Sequence, residues 1–590
     1  MKAEEGFQIE AYVEGNAYST DSVLPDLLKR LLPPGVLEEV EPDLTRVGHD
    51  VINSIRAVAQ RAYPPRLVQY DHWGKRVDRL ETSEAWQELK CTLFKEGLPG
   101  IFYERKYGEY SRVYGFAKLF LMDADTQVVD CPMSMTDGCA RVLELLGTPE
   151  MKQDVFPRLI SRDPKIAFTS GQWMTERPGG SDVSRTETHA SPAATSNDAN
   201  WPAYKLNGFK WFSSATDSNV SVALARTGTA ASGSRGLSLF LIPLRLPLLH
   251  NVSPPPSPTS NGILVHRLKN KIGTHIVPTA ELSLNNTTGY LLGNLNEGVK
   301  AILPVLYITR LHSAISGVSY LRKCLAIATA YSRVRAIKGG KEMLSENAVH
   351  VAHLAEIAVL YRALTHLVFG TIVLMGRGEA GMATEEDKYL LRVLSAVTKA
   401  FVSQKACTAM EEAMTTLGGL GYMEEVGIGR LIRDGLVEKI WEGTTSVMAV
   451  DVMRSAKDSK VFGAFNSWSS RIIGTCTGEM QSRFKDAIAL LRTGLQEVEG
   501  AYSDTNASPV LPRPALLLLG HCASALFLLE HAVWAWNTKS APAHEVDVEA
   551  FTRWVTEGGL EAALNDVRKA RQASSERARS NRNIVYGPKL

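Results

Sequence analysis

Residues 417–445 read LGGLGYMEEVGIGRLIRDGLVEKIWEGTT. A glycine cluster (Gly418, Gly419, Gly421) leads into Tyr422, then Arg433-Asp434, then Trp441-Glu442-Gly443-Thr444. Glycine lacks the side chain that holds helices apart, so the cluster permits close backbone approach. Thr444 is an N-cap candidate for a following helix. A glutamate at that point is favoured by the helix dipole alone. Upstream, apolar-periodic stretches at 297–336, 346–376 and 386–417 are long enough to pack as a bundle.

Toward the N-terminus the texture changes near residue 166. Residues 166–174, 220–226 and 237–243 read as short strands, and 204–212 as two β-prone runs around Asn207-Gly208, a hairpin signal. Segments 189–202 and 251–262, rich in Ser, Pro, Ala and Asn, read as surface loops. Residues 1–165 read as helices, with Val36, Leu37, Val40, Leu44, Val47, Val51 and Ile52 at helical spacing. Further helices are expected at 83–95, 114–123, 136–147 and 149–160. Beyond 460 a polar break precedes helices near 478–502, 513–537 and 546–572. The expected class is α+β: an N-terminal helical domain (1–165), a middle β domain (166–292), a C-terminal four-helix bundle (293–460) and an additional helical domain (461–590).

Composition sets outer bounds. The 590 residues are 45% hydrophobic and 22% charged, which excludes a mainly disordered, collagen-like or fibrous chain. Lys plus Arg is 65 against 63 for Asp plus Glu, a net charge of +2. That balance gives no general reason to expect a nucleic-acid or membrane partner. Seven cysteines, none in a CxxC pair, read as reduced thiols of an intracellular protein. The start, MKAEEGFQIEAY, reads as neither a signal nor a transit peptide. The apolar run 514–529 is too short to span a bilayer and reads as a buried helix. Pro588-Lys589-Leu590 is similar to a peroxisomal tripeptide address. Without that address, cytoplasm or mitochondrion is expected. GxGxxG after a strand, GxxxxGK[ST], HExxH and GxSxG are absent, which lowers Rossmann, P-loop, zincin and α/β-hydrolase readings.

A second informative segment is Gly171-Gln172-Trp173-Met174-Thr175-Glu176-Arg177-Pro178-Gly179-Gly180-Ser181-Asp182-Val183. It leaves a strand and enters a glycine-rich loop whose N–H groups and hydroxyls suit a planar or anionic ligand. Alone, it would be an ordinary turn. Together with 417–445, and with the order helices, β domain, bundle, it resembles the acyl-CoA dehydrogenase flavoprotein family over residues 30–460. Residues 210–214 (KWFSS), 267–273 (RLKNKIG) and the extra C-terminal helices resemble its AidB-like, alkylation-response branch.

The resemblance implies an FAD-dependent oxidoreductase of fatty acid metabolism acting on the Cα–Cβ bond of an acyl-CoA. The family's base is a Glu in a (Tyr/Trp)-Glu-Gly-Thr motif, which matches Glu442. Other members place the base just before an Arg of the first bundle helix. Here that pair is Thr309-Arg310, and threonine cannot serve; Arg310 keeps an active-site role as an open alternative to an ion pair. A carboxylate in a dry pocket is a stronger base than in water, as α-proton removal requires. By the same resemblance, Met174 and Thr175 meet the flavin edge, Ser181 lies near phosphates, and Phe212 and Ser214 pack on and hydrogen-bond the isoalloxazine. Arg335 holds the pyrophosphate, Gly419 sits beside the adenosine half, Trp441 lines the flavin pocket, and Thr444 and Ser446 touch FAD. In the family, Arg335 and residues 415–419 serve a neighbouring subunit's FAD, which implies a homodimer or homotetramer.

Three departures matter. Lys338-Gly339 stands where the family has Phe-Gly, Thr415 where it has Gln, and Arg177-Pro178-Gly179-Gly180 where it has Pro-Gly-(Ala/Gly)-Gly. The first two imply an altered, looser grip on the adenine end of the cofactor; the third, in a loop that borders the acyl-CoA channel in the family, leaves open a non-CoA substrate. The acceptor is either an electron-transfer flavoprotein or oxygen. The basic stretch from Arg568 to Arg582 leaves DNA as a further partner, against the plainer reading of a solvated helix face. The helix at 349–376 is read as bundle core.

Overall fold

The computed structural model describes residues 11–193, 201–249, 259–504 and 508–588. The N-terminal residues 1–10, much of the loops at 189–202 and 251–262, and Lys589-Leu590 of the tripeptide lie outside them. The chain forms two compact units, one of residues 53–106 and 125–312, the other of 1–52, 107–124 and 313–590.

The first unit carries a seven-stranded sheet. Its strands are β1 (Ser170–Trp173), β2 (His189–Pro192), β3 (Ala203–Ser214), β4 (Val220–Arg226), β5 (Leu237–Pro243), β6 (Ile263–Leu268) and β7 (Thr279–Leu292). The pairings β7–β3–β2–β4–β5–β7 close into a ring, with β6 beside β7 and β1 beside β4. β1 and β4 run parallel, and the other long ladders are antiparallel. Leu206, Phe240, Ile242, Leu282 and Trp173 fill the core, apolar burial being the main stabilising term.

Asn207-Gly208 makes no hairpin here. β3 passes straight through it, paired along its length with β7. A Cβ on Gly208 would lie 2.5 Å from the Thr188 Cα, so the glycine serves close approach of another backbone rather than a turn. The N-terminal region also departs from the all-helix reading, with a hairpin of Arg66–Tyr70 and Arg76–Glu81 after Pro64-Pro65. Its turn is held by Asp71, whose Oδ1 accepts from the N–H groups of Trp73 and Lys75. Side chains of this hairpin cap β6. Gln69 and Arg76 donate to the Val265 carbonyl at 2.9 and 2.8 Å, and Val265 N–H donates to Asp78 at 3.0 Å.

The same unit contains helices α3 (Glu84–Lys95) and α5 (Asp130–Leu146) and the first part of α6 (Gly298–Val334). The other unit is helical. It holds α1 (Leu24–Leu31), α2 (Pro34–Asp50), α4 (Ser111–Met122), the rest of α6, α7 (Ala348–Glu379), α8 (Glu385–Thr415), α9 (Ile428–Gly435) and α10 (Thr445–Ser455). It continues through α11 (Ser459–Gly474), α12 (Lys485–Ser503), α13 (Pro512–Thr538), α14 (Ala541–Thr556), α15 (Leu560–Arg571) and α16 (Ser575–Tyr586).

α7, α8 and α13 pack through ring-against-glycine contacts: Phe527 fills the space over Gly370, and Phe401 that over Gly520. A buried bidentate pair joins Arg112 to Glu379 at 2.6 and 3.0 Å. α11 occupies the expected polar break, its apolar face (Val461, Phe465, Trp468, Ile472) buried. The expected helix 546–572 is two, broken at Gly559 with φ +94°. α13 is longer than the apolar run that signals it. Among the described residues α6, α7 and α13 are long and apolar enough to cross a membrane, and the apolar windows of α7 and α13 are 72% and 89% buried. The start of α7 is not core: Val349 is 82% exposed.

Candidate functional site

In the helical unit the segment Arg433–Thr445 folds as the end of α9, a 3-10 turn at Leu436–Lys439, then a turn into α10. Thr444 caps α10, its Oγ1 accepting from Val447 N–H at 3.4 Å. Glu442 sits at φ +55° and Gly443 at φ +102°. A side-chain-bearing residue in the left-handed region carries about 1–3 kcal/mol of strain and persists only where its surroundings fix it. They do so here. Lys399 of α8, itself buried, donates to the Gly443 carbonyl at 2.6 Å. Trp441, on the other side, donates its indole N–H to Glu438 at 2.6 Å.

Glu438 is fully buried, and the same carboxylate oxygen accepts from Ser313 Oγ at 2.6 Å. Burial pushes its carboxyl well above the usual range, against the two hydrogen bonds and the Lys399 charge. Glu442 is only partly buried. Gly418 (φ +60°) and Gly419 face open space, and Tyr422 is 85% exposed. Arg335 is exposed just beyond α6, before a small hairpin (336–337 with 342–343) tied by the Lys338–Glu342 ion pair. Ser446 is exposed on the first turn of α10.

In the sheet unit, Met174 and Thr175 leave β1 partly buried. The Thr175 carbonyl accepts from Trp211 N–H at 3.0 Å. Glu176 anchors the glycine-rich loop. It is buried, paired with the fully buried Lys210 at 2.6 Å, and accepts from the N–H groups of Glu187 and Thr188 at 2.6 and 3.2 Å. Burial opposes its ionisation, but Lys210 and these donors outweigh it and hold the carboxyl below the usual range. Reciprocal backbone bonds between Glu176 and Gly179 make Arg177-Pro178 the corner of a tight turn. Arg226 ties the loop's far side through the carbonyls of Ser184 and Thr186. Ser181 is exposed beyond the turn.

At the end of β3, Phe212 is 51% exposed and Ser214 Oγ lies 3.0 Å from Thr279 Oγ1. Lys269 Nζ sits 3.2 Å from the Trp211 ring centre and 4.7 Å from that of Phe212, while paired to Glu281 at 2.7 Å.

On α6, Thr309 returns its hydroxyl to the Val305 carbonyl, and Arg310 is buried. One turn on, His312 is enclosed between two acids: Nδ1 is 3.0 Å from Asp130 and Nε2 3.0 Å from Asp137. Tyr103 O–H donates to Asp137 as well. Burial disfavours the imidazolium, but the paired aspartates prevail and hold the His312 pKa up to about 9.

Thus Glu442, Trp441, Thr444, Ser446, Arg335 and Gly419 belong to the helical unit. Met174, Thr175, Ser181, Phe212, Ser214 and Arg310 belong to the sheet unit. Sequence reasoning missed Glu438, Lys399, His312 and the Glu176–Lys210 pair. Only Glu438 left a trace, lying one helical turn before Trp441. Of the basic stretch, Arg568 and Arg571 pair with Glu497, while Arg577, Arg579 and Arg582 stand exposed on α16.

Three family models match: the acyl-CoA dehydrogenase middle domain over residues 171–287, its C-terminal domain over 296–457, and the adaptive response protein AidB N-terminal domain over 8–164. Acyl-CoA dehydrogenase family member 11 of Caenorhabditis elegans is 34% identical, covering 97% of this chain and 91% of its own. The putative acyl-CoA dehydrogenase AidB of Escherichia coli is 28% identical over 66% of this chain and 69% of its own. The crystal structure of C. elegans ACDH-11 in complex with C11-CoA superposes with a TM-score of 0.90 at 33% identity, over 99% of this chain and 97% of that one.

Proposed function

The chain belongs to the acyl-CoA dehydrogenase family, and we propose that it is an FAD-dependent enzyme that desaturates the Cα–Cβ bond of an acyl-CoA, with Glu442 as the α-proton base. The observation that carries this reading is the left-handed Glu442, fixed between the Trp441 indole and the Lys399-held Gly443 carbonyl. Strain of that kind is retained where one side chain must be aimed. A thioester substrate is supported by the C11-CoA complex of the C. elegans relative.

The residues present fit FAD. The half-exposed Phe212 ring offers a face for the isoalloxazine, and Arg335, exposed and paired with no carboxylate among the described residues, offers a bidentate donor for pyrophosphate. The open backbone at Gly418-Gly419 admits an adenosine. Ser214, Thr175 and Ser181 supply hydroxyls, and Thr444 and Ser446 stand at the N-terminus of α10, which favours phosphate. When bound, FAD supplies the hydride acceptor.

The chain's own part is proton transfer and positioning. The Glu442 carboxylate takes the α-proton onto one of its oxygens. By the family resemblance, its backbone N–H is the donor that would polarise a thioester carbonyl as charge develops. The Glu176–Lys210 pair keeps the 175–188 loop in one shape, so Met174 and Thr175 present a constant edge. Arg335 and Gly418-Gly419, both exposed on the helical unit, are read as serving the FAD of a neighbouring subunit, in a homodimer or homotetramer.

The test is the anaerobic visible spectrum of the FAD-loaded protein against butyryl-, octanoyl-, undecanoyl- and palmitoyl-CoA. At least one thioester is expected to bleach the flavin, and Glu442→Gln to abolish bleaching with FAD still bound. A fully active Glu442→Gln would overturn the base assignment. A flavin that no thioester bleaches would overturn the substrate class.

A further inference from the structure

Glu438 contributes neither an exposed face nor a salt bridge among the described residues, yet it holds the centre of the 436–443 segment. It is fully buried. Its Oε2 accepts two hydrogen bonds of 2.6 Å, one from Ser313 Oγ on α6 and one from Trp441 Nε1. The same indole N–H lies 3.3 Å from Ser313 Oγ, so carboxylate, hydroxyl and indole form a closed triangle. Its Oε1 has no hydrogen-bond partner among the described residues. Trp441 is followed directly by Glu442 at φ +55°, and then by Gly443, whose carbonyl is pinned by Lys399. The strained turn is therefore gripped on both flanks, upstream through a side chain and downstream through the backbone.

We propose that Glu438 is a positioning residue for the proton transfer at Glu442: by accepting both donors on one oxygen it locks the Trp441 indole and, through it, the left-handed turn. The inference rests on the reading of Glu442 as base. The reason lies in what each alternative leaves undone. An apolar group at 438 would remove the 2.6 Å acceptor that both donors share and leave the indole only its longer contact to Ser313 Oγ, so Trp441 would be held less firmly. A displaced turn misaims the Glu442 carboxylate, and a misplacement of about 1 Å is worth about 100-fold in rate.

The groups around Glu438 also fix its form. Asp123 disfavours a second negative charge, Lys399 favours one, and burial disfavours it most. The nearby Tyr320 hydroxyl is held neutral, far above its ordinary range. A neutral carboxylic acid uses its carbonyl oxygen as the acceptor, and a glutamine amide oxygen can do the same.

The experiment compares Glu438→Leu and Glu438→Gln in the FAD-loaded holoenzyme. It reads kcat and KM with undecanoyl-CoA and an artificial dye acceptor, and hydrogen exchange of amides 439–446. Glu438→Leu is expected to lower kcat by about 10- to 100-fold, to change KM by less than about twofold, and to expose the 439–446 amides to exchange. Glu438→Gln should restore kcat to within about threefold, and protection with it. Wild-type kcat and exchange in Glu438→Leu would overturn the proposal. So would a Glu438→Gln as impaired as the leucine variant, since the carboxyl would then act by its charge or proton. If Glu438→Leu does not fold, Trp441→Phe, which removes the same bond, must give the same kcat loss and exchange. The exchange readout is independent of which group is the base, so an active Glu442→Gln would sink that assignment while the grip of Glu438 is still judged by its own amides.

Discussion

His312 should make the sheet unit lose stability in alkali, over a range where most buried pairs are indifferent. The gap between the ordinary imidazole value of 6.5 and about 9 in the folded protein is worth about 3 kcal/mol. Because the folded value is the higher one, that stability is fully present below about pH 6.5. It falls as pH rises through about 9, at no more than about 1.4 kcal/mol per pH unit for one proton. The perturbation is His312→Gln, which keeps a hydrogen-bonding side chain between Asp130 and Asp137 but cannot carry charge. The variant should melt well below wild type at pH 6.5, with the gap closing by about 3 kcal/mol toward pH 10. For a unit of this size that is roughly 10 °C of melting temperature. The assay is thermal unfolding of both proteins across pH 6.5–10, beside the His312 imidazole titration followed by NMR. A gap that stays constant across the range, or an imidazole that titrates near 6.5, would refute the claim that the two aspartates outweigh burial.

Other expectations follow from single contacts. Lys399→Met should release the Gly443 carbonyl and lower kcat by about 10-fold or more while FAD content, read from visible absorbance, is retained. Lys210→Met leaves Glu176 buried without its cation; a loss of about 3–5 kcal/mol is expected, read as a lowered denaturant midpoint. The Glu176 contribution in the intact protein runs the opposite way to that of His312: its folded pKa is depressed, so stability is present above about pH 4.5 and is lost as pH falls through the folded value, checked by acid titration of circular dichroism. Gly208→Ala should destabilise despite the better strand propensity of alanine, because its Cβ would meet the Thr188 backbone at 2.5 Å. Thr444→Ala should lose about 1 kcal/mol through the cap of α10, seen as faster amide exchange at Val447.

The long elements were legible in the sequence because their signals are local. α6, α7, α8 and α13 each show a sustained apolar period, and Thr444 announces its helix by residue type alone. The Glu442 motif was legible for the same reason, through its aromatic and glycine neighbours. What escaped depends on long-range company. Asn207-Gly208 carries every local mark of a turn, and only the approach of Thr188 explains why the strand continues. Asp130, Asp137 and Tyr103 are far in sequence from His312, so no spacing rule gathers them. Lys399 reads as one more helical lysine until Gly443 is placed against it. The hairpin at 66–81 was hidden by the helices on either side, its one local sign being Asp71 at the turn.

The hydrogen bonds that Gln69, Arg76 and Asp78 make to Val265 bear on how the molecule stays soluble on its way to the folded state. A ring of strands has few open borders, and β6, which pairs with β7 on one side only within the sheet, is one of them, with Ile263 and Val265 buried. Such a border is a template on which a second chain can add a strand. Here polar side chains occupy the Val265 carbonyl and amide that the intruder would need. The hairpin thus acts as a gatekeeper against self-recruitment, and its removal would be felt first as aggregation at high concentration rather than as a lower melting temperature.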